Sequence, residues 1–360
     1  MTSGVLPSQA IEALIASGAI RADPPIDPAA IQPASLDLRL GARAHRVRAS
    51  FLAGAGRRVT DRLPEFEMHA FDLSGGAVLE RGCVYLVRLA ESLVLPDDLR
   101  ATCNAKSSTG RLDVLTRVIA DDGTEFDRVP AGYDGPLWVE ICPRSFAVLV
   151  APGLSLAQIR FRRGEPRLSD AALTELHARE PLVDGEAVIE DGLGFSVDLR
   201  PGSGGLAGWR ARPHADLVDM RRLGAHAPDA FWDRLAVRPG EPVILDPGAF
   251  YILVSREAVH VPPGYAAEMA PFLAMVGEFR VHYAGFFDPG FGHGPAGGAG
   301  ARGVLEVRCH EAPFALEHGQ SVGRLVYERM TEPPRVLYGA GRGSNYQGQG
   351  LKLSKHFAAP

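Results

Sequence analysis

Residues 82–99 read GCVYLVRLAESLVLPDDL, and residues 248–265 read GAFYILVSREAVHVPPGY. The stretches lie 166 positions apart, and at that offset Tyr85 meets Tyr251, Glu91 meets Glu257 and Pro96 meets Pro262. The register continues without a gap: Asp122 meets Asp288, Glu140 meets Glu306, Gly153 meets Gly319 and Phe161 meets Tyr327. One offset held over ~80 residues marks a duplicated unit rather than chance. Upstream, Ser35–Arg39 (SLDLR) matches Ser196–Arg200 (SVDLR) at an offset of 161. The sequence thus divides into a first copy over 1–165, a charged and weakly patterned linker over 166–193, and a second copy over 194–360.

Each copy predicts strands. Residues 85–95 and 251–261 are rich in β-branched and aromatic side chains and end at proline. Residues 138–143 and 304–310 alternate in polarity, and 147–161 and 314–330 are apolar runs split by a glycine turn. Short strands at this spacing, with 41 Gly and 28 Pro between them, predict an all-β sandwich or barrel. Helices are few: one near 8–17, entered at Pro7-Ser8 and stopped by Gly18, and one near 170–179 with Ser169 placed to cap it.

Composition narrows the function. The 360 residues carry 38 Lys+Arg against 43 Asp+Glu, a net charge of −5, with 46% hydrophobic residues. That balance excludes a disordered chain and a protein that holds nucleic acid by net charge. No run approaches the ~18 apolar residues of a membrane span, and residues 1–9 lack the basic start of a secretory signal, so a cytoplasmic protein is expected. Four cysteines without a C-x-x-C pair fit a reducing compartment and predict no disulfide framework.

Three motifs bear on chemistry. The first is AKSSTGR, Ala105–Arg111. Hydroxyls, backbone N–H groups and two flanking cations suit a phosphate, although the order is not that of a Walker A loop, and a solvated turn explains the composition equally. The second copy reads FLAMVGE there (272–278), which is too apolar for that task. The second motif is an Asp/Glu pair 18 residues apart in each copy, Asp122/Glu140 and Asp288/Glu306. A glutamate on a buried strand is poised for proton transfer; one facing solvent is not. The third is the tail GSNYQGQGLKLSKHF, 343–357, read either as a frayed terminus or as a segment that closes over a ligand. The glycine-rich run 290–303 reads as an insertion loop. The eleven histidines, His282, His293, His310 and His318 among them, show no H-x-x-x-H or H-E-x-x-H spacing and predict no zinc site.

Together these residues resemble the dCTP deaminase branch of the dCTP deaminase/dUTPase family. IQPASLDLRLG (31–41) is similar to its early strand motif and KSSTGR to its R-S-S-x-x-R phosphate motif, with Lys106 replacing the first arginine. HYAGFFDPGFG followed by VLEVR is similar to the stretch from its D-P-G turn to its glutamate, and NYQGQG to its C-terminal lid. The resemblance spans nearly the whole chain as two tandem units where typical members carry one. Both Asp-to-Glu intervals are longer than in those members, and the first copy lacks the D-P-G turn.

The resemblance implies two dUTPase-like distorted β-barrels (β-clip) with a few short helices, lobes assembled about a three-fold axis, and active sites at the joins. It implies that Lys106, Ser107, Ser108 and Arg111 hold the triphosphate. Asp288 would approach the sugar, Ala284 would line the base pocket, and Tyr346, Gln349 and Lys352 would close the site. Glu306 would activate water, with Glu140 as a second catalytic candidate or a structural relic. The implied reaction is hydrolysis of dCTP to dUTP and ammonia, with Mg²⁺ carried by the triphosphate and no zinc. The H-x-E and P-C-x-x-C signatures of zinc deaminases are indeed missing from the sequence. A homotrimer with a small-molecule nucleotide as its partner, and no nucleic acid or membrane, completes the expectation. The alternatives are a dUTPase, a bifunctional enzyme making dUMP, and an inactive nucleotide-binding regulator.

Overall fold

The computed structural model describes residues 2–200, 205–238, 240–271, 279–282, 285–294, 300–339 and 346–359. The described chain is dominated by β-strands, as expected. It separates into two units. The first comprises Met1–Glu165, His214–His226 and Ser354–Pro360; the second comprises Pro166–Pro213 and Ala227–Leu353.

The first unit is built on a sheet whose strands run in the order Val114–Ala120, Asp134–Pro143, Val84–Val94, Leu36–Val47, Ser155–Arg163, Leu99–Ala105 and Arg128–Val129. Leu36–Val47 is long enough to pair with Ser155–Arg163 near its start and with Val84–Val94 beyond a register shift between Leu40 and Ala44. That irregularity bends the sheet, as bulged registers do. The first strand of the order comes back against the last two, so the barrel nearly closes. Asp127 seals the seam. Its N–H donates to Val118 O (2.8 Å), its carboxylate accepts from Val118 N (2.7 Å), and its carbonyl accepts from Cys103 N (2.8 Å). It does so at φ 62°, a region aspartate tolerates better than most side chains.

The second unit repeats several of these strands at the predicted offset. Ser155–Arg163 corresponds to Ser321–Arg329, Leu99–Ala105 to Tyr265–Pro271, and Ala77–Leu79 to Val243–Leu245. The pairing register is kept as well: Glu140 lies across from Leu86, and Glu306 across from Ile252. The repeated tyrosines explain themselves here. Tyr85 OH accepts from Glu80 N (3.0 Å) and Tyr251 OH from Asp246 N (2.9 Å), each holding the turn that leads into its own strand. Gly153 and Gly319 both sit at positive φ (81° and 80°), where a side chain would be strained.

The helices follow their sequence signals. Ser8–Ala16 starts after Pro7 and stops before Gly18, which has φ 77°. Asp170–Arg179 is capped by Ser169 Oγ, which accepts from Ala172 N at 3.3 Å. Residues 166–193, expected to be a linker, instead fold into the second unit: Leu168, Leu173, Leu176, Leu182 and Val183 join its buried core. These buried side chains lie within a stretch whose composition is strongly charged, so the composition hides a buried face. His214–His226 and Ser354–Pro360, which the offset places in the second copy, belong to the first unit. There Val218 and Asp219 pair in parallel with Val148 and Leu149. Among the described residues no helix is long and apolar enough to cross a membrane.

Candidate functional site

The phosphate motif lies in the first unit, where Leu99–Ala105 ends. Lys106 N donates to Leu156 O (2.9 Å), and the chain then coils into a short helix, Ser107–Gly110. Thr109 N and Gly110 N both donate to Lys106 O (2.8 and 2.9 Å), so the hydroxyl-rich run is wound tightly. Small side chains permit that turn. Ser108 and Arg111 are buried, whereas Lys106 and Ser107 are half-buried. The Lys106 ammonium forms an ion pair with the Asp37 carboxylate. Two stretches singled out separately in the sequence, SLDLR and KSSTGR, therefore meet in space.

The end of the chain also reaches this motif. Ser354 Oγ donates to Ser108 O (2.7 Å) and lies 2.9 Å from His356 Nδ1. Gly224 N donates to Lys355 O, Ala225 N and His226 N to His356 O, and Ala358 N to His226 O. Burial, reinforced by the Lys106 charge, lowers the Lys355 ammonium from its usual range. Burial, then the Lys355 charge, pushes His356 down to about 4. Ser354, Lys355 and His356 were not among the residues singled out by sequence. Their only signal was their position in a polar tail, and the 246-position separation of Ser354 from Ser108 puts the contact beyond any local pattern.

Glu140 and Glu306 are both buried on central strands, Asp134–Pro143 and Ala301–Cys309. Their neighbours differ. Across from Glu140 stands Arg117, whose Nη2 and Nε lie 2.5 and 3.1 Å from Glu140 Oε1. The same guanidinium donates to Ser50 Oγ (2.9 Å) and stacks 3.7 Å over the Phe126 ring. Across from Glu306 the register position belongs to His282. The Glu140 carboxylate is thus committed to an arginine, and the repeat does not carry that arginine into the second copy.

Asp288 is buried in the second unit at the head of the D-P-G turn, where its carbonyl accepts from Phe291 N (3.0 Å) and Pro289 O from Tyr338 N (2.8 Å). The tail is ordered against this unit rather than frayed over 346–353. Gln349 Nε2 donates to Arg302 O (3.1 Å), and Arg302 N donates back to Gln349 O (3.1 Å). Tyr346 is buried, with Lys352 Nζ 5.6 Å from its ring centre. Gln347, not singled out by sequence, accepts from Gly292 N (3.2 Å) and donates to Gly290 O (3.1 Å), tying the tail to the D-P-G turn. Ala284 lies outside the described residues.

The site residues therefore fall into two sets: Lys106, Ser107, Ser108, Arg111 and Glu140 in the first unit, and Asp288, Glu306, Tyr346, Gln349 and Lys352 in the second. Fold and motifs define a tandem β-barrel protein with an anion-suited turn and a buried carboxylate on each barrel. Comparison with known proteins makes this specific. Residues 2–165 match the model of the 2'-deoxycytidine 5'-triphosphate deaminase N-terminal domain, and residues 169–357 match that of its C-terminal domain. The chain belongs to the 2'-deoxycytidine 5'-triphosphate deaminase family. The crystal structure of 2'-deoxycytidine 5'-triphosphate deaminase from Agrobacterium tumefaciens superposes with a TM-score of 0.89 at 54% identity, covering 93% of this chain and all of that one. The dCTP deaminase of Natronomonas pharaonis is 32% identical over 202 residues, 54% of this chain and 90% of that protein. A Halobacterium salinarum protein named "dCTP deaminase, dUMP-forming" is 31% identical over 187 residues, 51% of this chain and 86% of that protein.

Proposed function

We propose that this enzyme hydrolyses dCTP to dUTP and ammonia. The likeness to the Agrobacterium protein over nearly the whole chain is the observation that carries this reading. In the proposed reaction Glu306 accepts a proton from water, the oxygen adds to C4 of the cytosine ring, and N3 is protonated. C4 is then tetrahedral. Transfer of a proton to the exocyclic amine lets ammonia leave and restores the carbonyl of uracil. Burial of Glu306 on the strand Ala301–Cys309 supports this role, because it keeps the carboxyl group out of bulk solvent.

Lys106, Ser107, Ser108 and Arg111 are assigned to the triphosphate, whose Mg²⁺ arrives as part of the substrate. Asp288 is assigned to the sugar, Ala284 to the base, and Tyr346, Gln349 and Lys352 to closure of the site. The enzyme is a hydrolase acting on a cyclic amidine and needs no zinc for this chemistry. We place it in the cytoplasm as a homotrimer.

A second reading has its own support, since relatives named as dUMP-forming are among those that match. There the dUTP would be hydrolysed further to dUMP and pyrophosphate by water attack at the α-phosphate. Purified protein incubated with dCTP and Mg²⁺, with ammonia and nucleotides quantified together, tests both. Ammonia with accumulating dUTP is expected. Ammonia with dUMP and pyrophosphate selects the second reading, and dCTP binding without ammonia overturns both.

A further inference from the structure

The glycine-rich run after the D-P-G turn, left over by the proposed reaction, brings His293 beside two side chains far away in sequence. His260 Nε2 lies 2.9 Å from Glu180 Oε1, and His293 Nδ1 lies 3.6 Å from the same oxygen. The two imidazole rings are 5.4 Å apart, and one donor atom from each of the three residues falls within 4.8 Å of the others. We propose that Glu180, His260 and His293 form a binding site for a borderline transition-metal dication of the Zn²⁺ class, with solvent completing the coordination.

The donor set and spacing suit that ion. Two imidazoles and a carboxylate are ligands for zinc-like dications, not for Mg²⁺ or Ca²⁺, which take oxygen almost exclusively. Bonds of ~2.0–2.1 Å in a tetrahedron put ligand atoms ~3.4 Å apart, and the two measured separations bracket this value. The His260 and His293 side chains are mostly covered, whereas the Glu180 side chain is 39% exposed, which leaves an approach for the ion and room for water.

The backbone holds all three donors in place. His260 N donates to Leu182 O (3.0 Å), which fastens the Glu180 segment. Val261 N donates to Phe291 O (2.8 Å) and Gly290 N to Val261 O (2.9 Å), which fasten the His293 loop. Tyr327 OH donates to His260 O (2.7 Å). At Gly292 a Cβ would stand 2.2 Å from Val259 O, so only glycine lets the loop lie this close to His260. Preorganisation of this kind spares a metal the cost of assembling its ligands. The ion would pin the loop that follows Asp288. No step of the proposed reaction uses it.

The test is titration of the metal-stripped full chain with Zn²⁺ against a chromophoric chelator, with Co²⁺ absorption as a probe of coordination geometry. Wild type is expected to take up one equivalent and to give the intense visible bands of tetrahedral Co²⁺. His260→Ala and His293→Ala should each weaken uptake by ~100-fold or more, beyond the ~10–100-fold that loss of an outer-shell partner costs. Glu180→Gln, a surface change that spares folding, should weaken it as well, while His69→Ala, elsewhere in the chain, should not. Absence of saturable uptake by wild type, or uptake unchanged in folded Glu180→Gln and His293→Ala, overturns the site.

Discussion

Arg117 holds Glu140 through two nitrogens on one carboxylate oxygen, 2.5 and 3.1 Å away, and the second copy places His282 at the register position where Arg117 would stand. An arginine stays charged throughout the accessible pH range, and its guanidinium here occupies one oxygen of the carboxylate through two nitrogens. An oxygen held in this way is less open to a water molecule than a carboxylate without such a neighbour. We therefore expect the two glutamates to differ in role, although both lie across from equivalent residues, Leu86 and Ile252. Glu306→Gln is expected to lower kcat by ~10²–10⁴-fold while dCTP binding persists. Glu140→Gln should leave turnover near wild type and cost ~1–3 kcal/mol of stability, because Arg117 loses a charged acceptor. Kinetics and thermal melting of both variants decide it. A folded Glu140→Gln enzyme without turnover, beside an active Glu306→Gln enzyme, reverses the assignment.

Arg111 is buried within the hydroxyl-rich turn, and Lys106 beside it is already paired with Asp37. The ion pair fixes the lysine, so the triphosphate role proposed for Arg111 can be tested separately. Arg111→Lys keeps the charge but loses the forked geometry; it should weaken dCTP affinity by ~10-fold, the equivalent of one charge-assisted hydrogen bond. Binding of deoxycytidine, which has no phosphates, should not change. Isothermal titration with both ligands separates a phosphate role from a general loss of structure. Equal losses for nucleoside and nucleotide would remove Arg111 from the phosphate site.

The 166-residue offset was legible because duplication leaves strands, turns and their tyrosines in register, and the all-β architecture follows from it. The resemblance was legible because KSSTGR, D-P-G and NYQGQG are each contiguous in the sequence. What the sequence conceals are pairings between distant strands. Nothing local tells Arg117 from any other strand arginine 23 residues before a glutamate. Nothing tells that Asp127 closes the barrel between Val118 and Cys103. The same holds for Glu180, His260 and His293, whose spacing matches no metal motif because three separate segments supply them. The segment 166–193 misleads for a compositional reason, since its buried leucines are few and its exposed face is strongly charged.

The matched tyrosines make a quantitative test of the duplication. Each hydroxyl is the acceptor for a turn amide, Glu80 N in one unit and Asp246 N in the other. Tyr85→Phe and Tyr251→Phe remove the acceptor and keep the ring, leaving that amide without its partner. Each should cost ~1–3 kcal/mol, and because they share no partner the double variant should lose close to the sum. Chemical denaturation of the single and double variants measures it. Two single variants as stable as wild type would mean that the turns are held without the hydroxyls.

The contact between the chain end and the phosphate turn should respond to pH through His356. Its imidazole ordinarily titrates near 6.5 and, packed beside Ser354 and Lys355, is pushed down to about 4. Between these values the released segment binds a proton that the packed segment does not, so packing is fully favoured above pH 6.5 and is progressively lost as pH falls toward 4. From pH 7 to pH 5 the loss for this one group is about 2 kcal/mol. Amide exchange of residues 354–358, corrected for the intrinsic rate at each pH, should show protection falling over that interval. His356→Gln carries no titrating ring and should flatten the profile. If wild type and His356→Gln lose protection in parallel, another group governs the packing and the Ser354–Ser108 contact is not gated by this histidine.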